Sequence, residues 1–385
     1  MKRFVRVEAI FVLLLVNAFP LWGQGARVLE YGSPSSADMD GNRLDQAIRL
    51  YRDAVERDDL RGVVLMVARH GKIVLHEAIG WKHRGYQLPM EKDTLFRMAS
   101  NTKPVIASAA LILVQEGKLA LDDRVSRYFE SFNDAKSRAI TVQQLLSHTS
   151  GFRIRPIFLP FDEKTDPHPT LRSAVDKLGR EGPEVEPGNS YSYSNAGFNT
   201  VGAVIEHVSA ISLEEFLTRR IYEPLGMVDT SNHEDPAKLH RMATVYRGSR
   251  GPGGKVEFRQ GFTPDDPPDF PIVRASGGMI STAMDYAKFL QMYLNGGRYG
   301  KAEILTRESV RKATSPLAKS SESTHYGLGW SVGKDAVFSH GGSDGTMAWV
   351  DPSLDLLGLV FTQSPGGNNP VNSFQKLVSE ACLTK

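Results

Sequence analysis

The spacing of apolar residues changes twice along this chain, and that change limits the folds open to it. Gly62 to Arg69 is rich in β-branched residues and ends at His70-Gly71-Lys72, a turn. Ile73 to Ile79 follows as a second strand, which predicts a hairpin. Leu44 to Val55, before it, has apolar residues at helical spacing, as does much of the chain after it. The two-residue period returns late: Tyr326 to Val332, Ala336 to Ser339, Thr346 to Val350 and Leu356 to Phe361 are short β-like runs split by Gly and Asp turns. Val371 to Leu383 closes the chain as a helix. Strands at both ends and helices between them pack most economically as one largely antiparallel sheet built from both chain ends and flanked by helices. This is an α/β fold with an inserted, mainly helical region at about residues 119–270.

Within the insertion, Thr141 to Leu146 reads as a short helix with Thr141 as its N-cap, and Asn199 to Val208 and Leu213 to Ile221 are helical. Residues 152–189 carry six prolines and read as loop; residues 250–271, dense in Gly and Pro, read as an excursion. Ala283 to Leu294 is an amphipathic helix stopped by Asn295-Gly296-Gly297.

The start of the chain is a separate segment. Met1 to Arg6 is basic, Ala9 to Phe19 is almost wholly apolar, and small residues follow at Gly23, Gly25 and Ala26. Residues 1–25 therefore read as a secretory signal peptide, and the expected location is periplasmic or secreted. The apolar stretch is short for a membrane span, so an uncleaved anchor is the alternative and no other membrane insertion is expected. Residues 26–42 read as a linker, and 43–385 as a single domain. The chain has 46 basic and 44 acidic residues, a net charge of +2 that gives no reason to expect a nucleic-acid partner. Its one cysteine, Cys382, cannot form an intramolecular disulfide and sits too near the end to serve as a nucleophile. The ten histidines are scattered without metal-ligand spacing, and neither metal nor cofactor is expected; His70, His76 and His83 read as surface residues.

Ser100-Asn101-Thr102-Lys103 carries the first chemical signal. A serine and a lysine three apart share a helix face, and a neutral lysine can take the proton that makes a serine nucleophilic. Pro104 lacks an N–H and fits only among the first four helical residues, so the helix must begin near Ser100. Proline also disfavours the α conformation at Lys103, which opposes this placement. The pattern itself is common: it recurs at Ser309, Ser331 and Ser373. The Ser309 copy reads as an exposed helix face.

Two further clusters add partners. Tyr193-Ser194-Asn195 follows a Pro-Gly loop and precedes a helix, where a phenol whose pKa is lowered far below its reference of about 10 could relay a proton and Asn195 could hold the lysine or a substrate amide. The plainer alternative is that Tyr193 packs its ring and caps the helix. Tyr293-Leu294-Asn295 repeats the pattern at a helix end and reads as structural. His340-Gly341-Gly342-Ser343 follows a strand, and its bare glycines leave room for a substrate along the strand edge. A backbone N–H beyond them could join that of Ser100 as an oxyanion hole; the alternative is a simple strand-end turn. Gly341 to Gly345 also matches the Gly-x-Ser-x-Gly elbow, but no helix and no later histidine follow it.

Taken in order, Ser100-x-x-Lys103, Tyr193-Ser194-Asn195 and His340-Gly341-Gly342 resemble the motif triple of the serine β-lactamase and penicillin-binding-protein superfamily, most closely its class C branch of esterases and D-amino-acid peptidases. Leu145 to Gly151, Glu223 to Met227, Ser276 to Met279 and Tyr326 to Trp330 also resemble that family's signatures. The resemblance covers roughly residues 44–383. It implies a sheet domain with a helical insertion and a site between them. Ser100 would be the acylated nucleophile, and Lys103 and Tyr193 would share acid–base work, with the initial base left open. Asn195 would support Lys103 and substrate, and the N–H groups of Ser100 and Ser343 would form the oxyanion hole. His340 departs from the lysine many relatives carry to bind a substrate carboxylate, which favours a small-molecule ester, amide or peptide over a carboxylate-bearing β-lactam. The expected activity is esterase or peptidase, with β-lactamase as the alternative. Acyl transfer and a non-catalytic cell-wall-fragment binder are further alternatives.

Overall fold

The computed structural model describes residues 25–153, 169–264, 266 and 272–383. Its main sheet runs, edge to edge, Glu30–Tyr31, Lys72–His83, Gly62–Arg69, Leu356–Thr362, Thr346–Asp351, Phe338–Gly341, Ser331–Val332, His325–Tyr326 and Ala318–Lys319, with Leu88–Pro89 paired to Lys72–His83. The pairings are antiparallel except that of Glu30–Tyr31 with Lys72–His83. The two ends of the chain meet at the centre, in a register running from Leu356↔Arg69 to Thr362↔Val63.

Both faces of that centre are covered, so every residue of Gly62–Arg69 is buried. Alternation divides its side chains between two cores. Val63, Leu65 and Val67 pack with the helices Gly41–Glu56 and Val371–Ala381, where Tyr51 meets Phe374 edge-on at 5.4 Å. Val64, Met66 and Ala68 face the larger core, built on the helices Thr102–Gln115 and Ala283–Leu294. The helical insertion packs beyond Thr102–Gln115, so that helix lies between sheet and insertion. This explains why twelve of its residues, from Thr102 to Leu113, are buried.

The predicted α/β architecture holds, and Thr141 caps Val142–Leu146 through a full capping box with Gln144. Several local expectations need correction. Residues 26–42 are not a free linker: Glu30–Tyr31 adds a strand to the sheet, and Ala37 and Met39 join the core. The 152–189 stretch contains a helix, Leu171–Glu181, which buries Leu171, Ala174, Val175 and Leu178. The 250–271 excursion begins within a hairpin, Tyr246–Arg250 with Val256–Gln260. His76 and His83 are buried rather than surface residues, and His76 Nδ1 meets the Tyr31 hydroxyl at 2.7 Å. The expected signal peptide lies outside the described residues but for Gly25. Among the described residues no helix is long and apolar enough to cross a membrane.

Candidate active site

Ser100 sits on a short 3-10 turn, Ala99–Asn101, that runs directly into Thr102–Gln115. Pro104 is the third residue of that helix, and Lys103 is helical despite preceding it. The junction is held from three sides. Ala99 adopts a φ of 43°, a left-handed conformation that is costly for a residue with a Cβ. Thr102 Oγ1 donates to the Ala99 carbonyl at 2.7 Å and accepts from Met279 N–H at 3.1 Å. Thr346 Oγ1 donates to the Met98 carbonyl at 3.2 Å and accepts from Asn101 Nδ2 at 2.9 Å. The turn that carries Ser100 is thus tied to the sheet strand Thr346–Asp351.

Lys103 is fully buried, and its amine lies 2.7 Å from the Ser276 carbonyl, 2.8 Å from Asn195 Oδ1 and 3.0 Å from Ser100 Oγ. Burial holds its pKa well below the ordinary lysine value, with the Arg274 charge adding to the effect. The geometry then decides where the lone pair points. Ser276 O and Asn195 Oδ1 can only accept, so once the amine is deprotonated they take its two N–H bonds. The remaining direction is Ser100 Oγ, whose O–H can donate to it. Asn195 opens the Asn195–Ser209 helix, where Ser194 Oγ caps Gly197 N–H at 3.1 Å. Asn199, one turn on, accepts from Ser276 N–H at 2.9 Å and so places the Ser276 carbonyl.

The Tyr193 ring lies 4.7 Å from the Lys103 amine. Burial pushes its phenol pKa far above the usual range, against the opposing pull of its hydrogen bond to Ser100. Tyr193 therefore rests as a neutral phenol, and the lowered pKa expected of a relay is not found, because burial disfavours the phenolate.

His340 is buried on the strand Phe338–Gly341. Its Nε2 accepts from the Tyr326 hydroxyl at 2.9 Å, and its Nδ1–H donates to the Gly341 carbonyl at 2.9 Å. Burial, with the Lys103 charge second, lowers its pKa to about 3. It is neutral at physiological pH. Gly342 could not be another residue without movement: a Cβ there would lie 2.3 Å from Thr346 Oγ1 and 2.4 Å from the Met98 carbonyl. A Cβ on Gly341 would meet nothing nearer than 3.6 Å, which leaves that strand edge open. Ser343 is exposed beside it.

The structure brings Ser100, Lys103, Tyr193 and Asn195 together, with the His340 ring 6.4 Å from that of Tyr193. The Ser309 copy is buried against the Thr306 cap rather than exposed, and Thr346–Asp351 is a strand, so the elbow is excluded. Tyr293 is structural, its hydroxyl 2.8 Å from Ser108 Oγ. Sequence reasoning assigned no role to Ser276, Thr346, Tyr326 or His148. Ser276 acts through a backbone carbonyl, which carries no residue-type signal.

A family model described as Beta-lactamase matches residues 47–381. The chain belongs to the beta-lactamase family. Among similar proteins, Protein Rv1367c of Mycobacterium tuberculosis (strain ATCC 25618 / H37Rv) is 30% identical, over 85% of this chain and 90% of that protein. The D-amino acid amidase of Ochrobactrum anthropi SV3 is 26% identical, with a TM-score of 0.70 over 88% of this chain and 98% of its own. EstCE1, a hydrolase with promiscuous acyltransferase activity, shares the fold, with a TM-score of 0.73 at 22% identity over 89% of this chain and 98% of its own. The protein is thus a hydrolase of the beta-lactamase family, on the fold it shares with these structures.

Proposed function

We propose that the protein is an exported serine hydrolase that cleaves an ester or amide through an acyl-Ser100 intermediate, on a substrate uncharged where it meets His340. The observation that carries this reading is the fully buried Lys103 amine held between Ser276 O, Asn195 Oδ1 and Ser100 Oγ. Ser100 Oγ attacks the substrate carbonyl while its proton passes to Lys103 Nζ. The carbonyl oxygen becomes an oxyanion, received by the backbone N–H groups of Ser100 and Ser343; one such donor is worth about 3 kcal/mol. Tyr193 gives its phenolic proton to the leaving oxygen or nitrogen as that bond breaks, and is reprotonated from Lys103. Water then attacks the acyl-enzyme by the reverse route. The basic and apolar residues 1–25 support export.

Neutral His340 supports an esterase, amidase or peptidase over a β-lactamase, because a substrate carboxylate finds no cation there. The alternative activity is that of a β-lactamase. Fluorophosphonate labelling of wild type and Ser100→Ala tests the nucleophile, and equal labelling would remove Ser100 from the mechanism. Turnover of p-nitrophenyl esters, D-amino acid amides, D-alanyl peptides and nitrocefin tests the substrate. Ester or amide turnover is expected to exceed nitrocefin turnover. Nitrocefin hydrolysis faster than ester and amide turnover would establish the β-lactamase alternative.

A further inference from the structure

Tyr193 stands between two backbone N–H groups that are both held by one residue. Ser192 N–H donates to the His148 carbonyl at 2.8 Å, and Ser194 N–H donates to His148 Nδ1 at 3.1 Å. The imidazole itself lies 4.3 Å from the Tyr193 ring, centroid to centroid. One side chain and its own carbonyl therefore grip the residue before the phenol, the residue after it, and the ring between them.

This grip has a local cost. His148 adopts a φ of 59°, in the left-handed region that histidine enters more readily than most residues. Its carbonyl and its ring both reach the Tyr193 segment from that conformation. The ring is wholly buried among Tyr191, Tyr193, Phe198 and Tyr326. Accepting from Ser194 N–H fixes the tautomer: the proton must be on Nε2. A protonated ring would set Nδ1–H against Ser194 N–H, donor against donor. The surroundings also oppose protonation, since burial and the nearby Lys103 and His340 hold the ring well below the usual histidine range.

The same bond reaches a second site residue. Ser194 is the N-cap of Asn195–Ser209, so holding its N–H also fixes the helix start that carries Asn195 to the Lys103 amine. We infer that His148 is a positioning residue for the proton relay: it sets Tyr193 at Ser100 and Asn195 at Lys103, and takes up no proton itself. This inference rests on the proposed role of Tyr193.

The test compares His148→Phe and His148→Asn in the purified full chain, with a p-nitrophenyl ester as substrate. Phenylalanine fills the ring space but offers no acceptor. Asparagine tolerates the left-handed conformation, and its Oδ1 can take the Ser194 N–H. A misplaced proton relay loses kcat, and positioned acid–base groups contribute 10²–10⁴-fold, so His148→Phe should lower kcat by about 10²-fold. KM should stay within about threefold, and His148→Asn should recover at least about tenfold of the lost kcat. The acid limb of kcat/KM should survive in both variants. The inference is overturned if His148→Phe keeps near wild-type kcat, or if asparagine restores nothing. Loss of the acid limb would overturn it by making His148 a titrating base. Loss of cooperative melting in both variants would also overturn it, by assigning His148 to the fold alone. Ser100→Ala is the control: activity remaining there sinks the proposed function, whereas an inactive Ser100→Ala beside an unimpaired His148→Phe sinks only this inference.

Discussion

An amine with no exposed surface holds its proton poorly, and Lys103 is such an amine. Its lowered pKa makes it available as a base nearer neutral pH, so kcat/KM should fall in acid as the amine protonates. Lys103→Ala should lose about 10²–10⁴-fold in acylation rate, read from fluorophosphonate labelling. Lys103→Arg should do no better, because a guanidinium does not give up its proton; near-normal acylation by either variant would exclude Lys103. His340 leads to a separate expectation. Because it is already neutral, KM for an ester with a carboxylate-bearing leaving group should not improve between pH 7.5 and 5.5. A cationic histidine titrating near its reference value of about 6.5 would improve it over that range. The side chains gathered at the candidate site were legible in the sequence because the chemistry proposed for them depends on residue type: a hydroxyl, an amine, a phenol, an amide. The Ser276 carbonyl was not, since any residue has one. His148 carried a partial signal, a histidine inside a recognisable motif, but its value lies in bonds to a loop more than forty residues away.

At the scale of elements, the decisive contact joins the nucleophile turn to the strand Thr346–Asp351. Thr346 Oγ1 serves Asn101 Nδ2 and the Met98 carbonyl at once, and all of these groups are buried. Thr346→Val keeps the shape and strips both bonds, so stability should fall by about 1–3 kcal/mol. Because Met98 leads into Ser100, kcat should fall with it. Urea melts and ester kinetics on one preparation check both, and unchanged values for both would show that the strap is idle. Gly342→Ala strikes the same junction sterically and should lower kcat by about 10²-fold if the adjoining Ser343 N–H serves the oxyanion. Long elements could be read from periodicity: Ala283–Leu294 and the hairpin at Gly62 needed no tertiary information. Leu171–Glu181 escaped because prolines on both sides concealed an ordinary i, i+3, i+4, i+7 stripe of Leu171, Ala174, Val175 and Leu178. Glu30–Tyr31 escaped because two residues cannot display a period, and only the neighbouring edge of Lys72–His83 makes them a strand.

At the scale of the molecule, joining the chain ends in one sheet and packing the insertion against its core buries titratable groups in both parts. His340 is held to about 3, His76 to about 4, and His148 well below its ordinary value, each by burial first. The unfolded chain has all three near 6.5. Between the folded and unfolded values the unfolded state binds more protons, so stability rises with pH there and is lost as pH falls from about 6.5. Each histidine then removes up to about 1.4 kcal/mol per pH unit. Together they draw on a margin that for a domain is usually only about 5–15 kcal/mol. Asp229 and Asp355, both lowered by bonds to cations, act in the same direction at lower pH. The protein should therefore lose stability in mild acid. Urea unfolding at pH 7.5, 6.5, 5.5 and 4.5 should show a steady fall in unfolding free energy below 6.5. His76→Gln, far from Ser100 in the sheet, should flatten that fall by about a third without removing it. A free energy that stays level from pH 7.5 to 4.5 would mean that these histidines charge freely in the folded protein and that its packing does not exclude water from them.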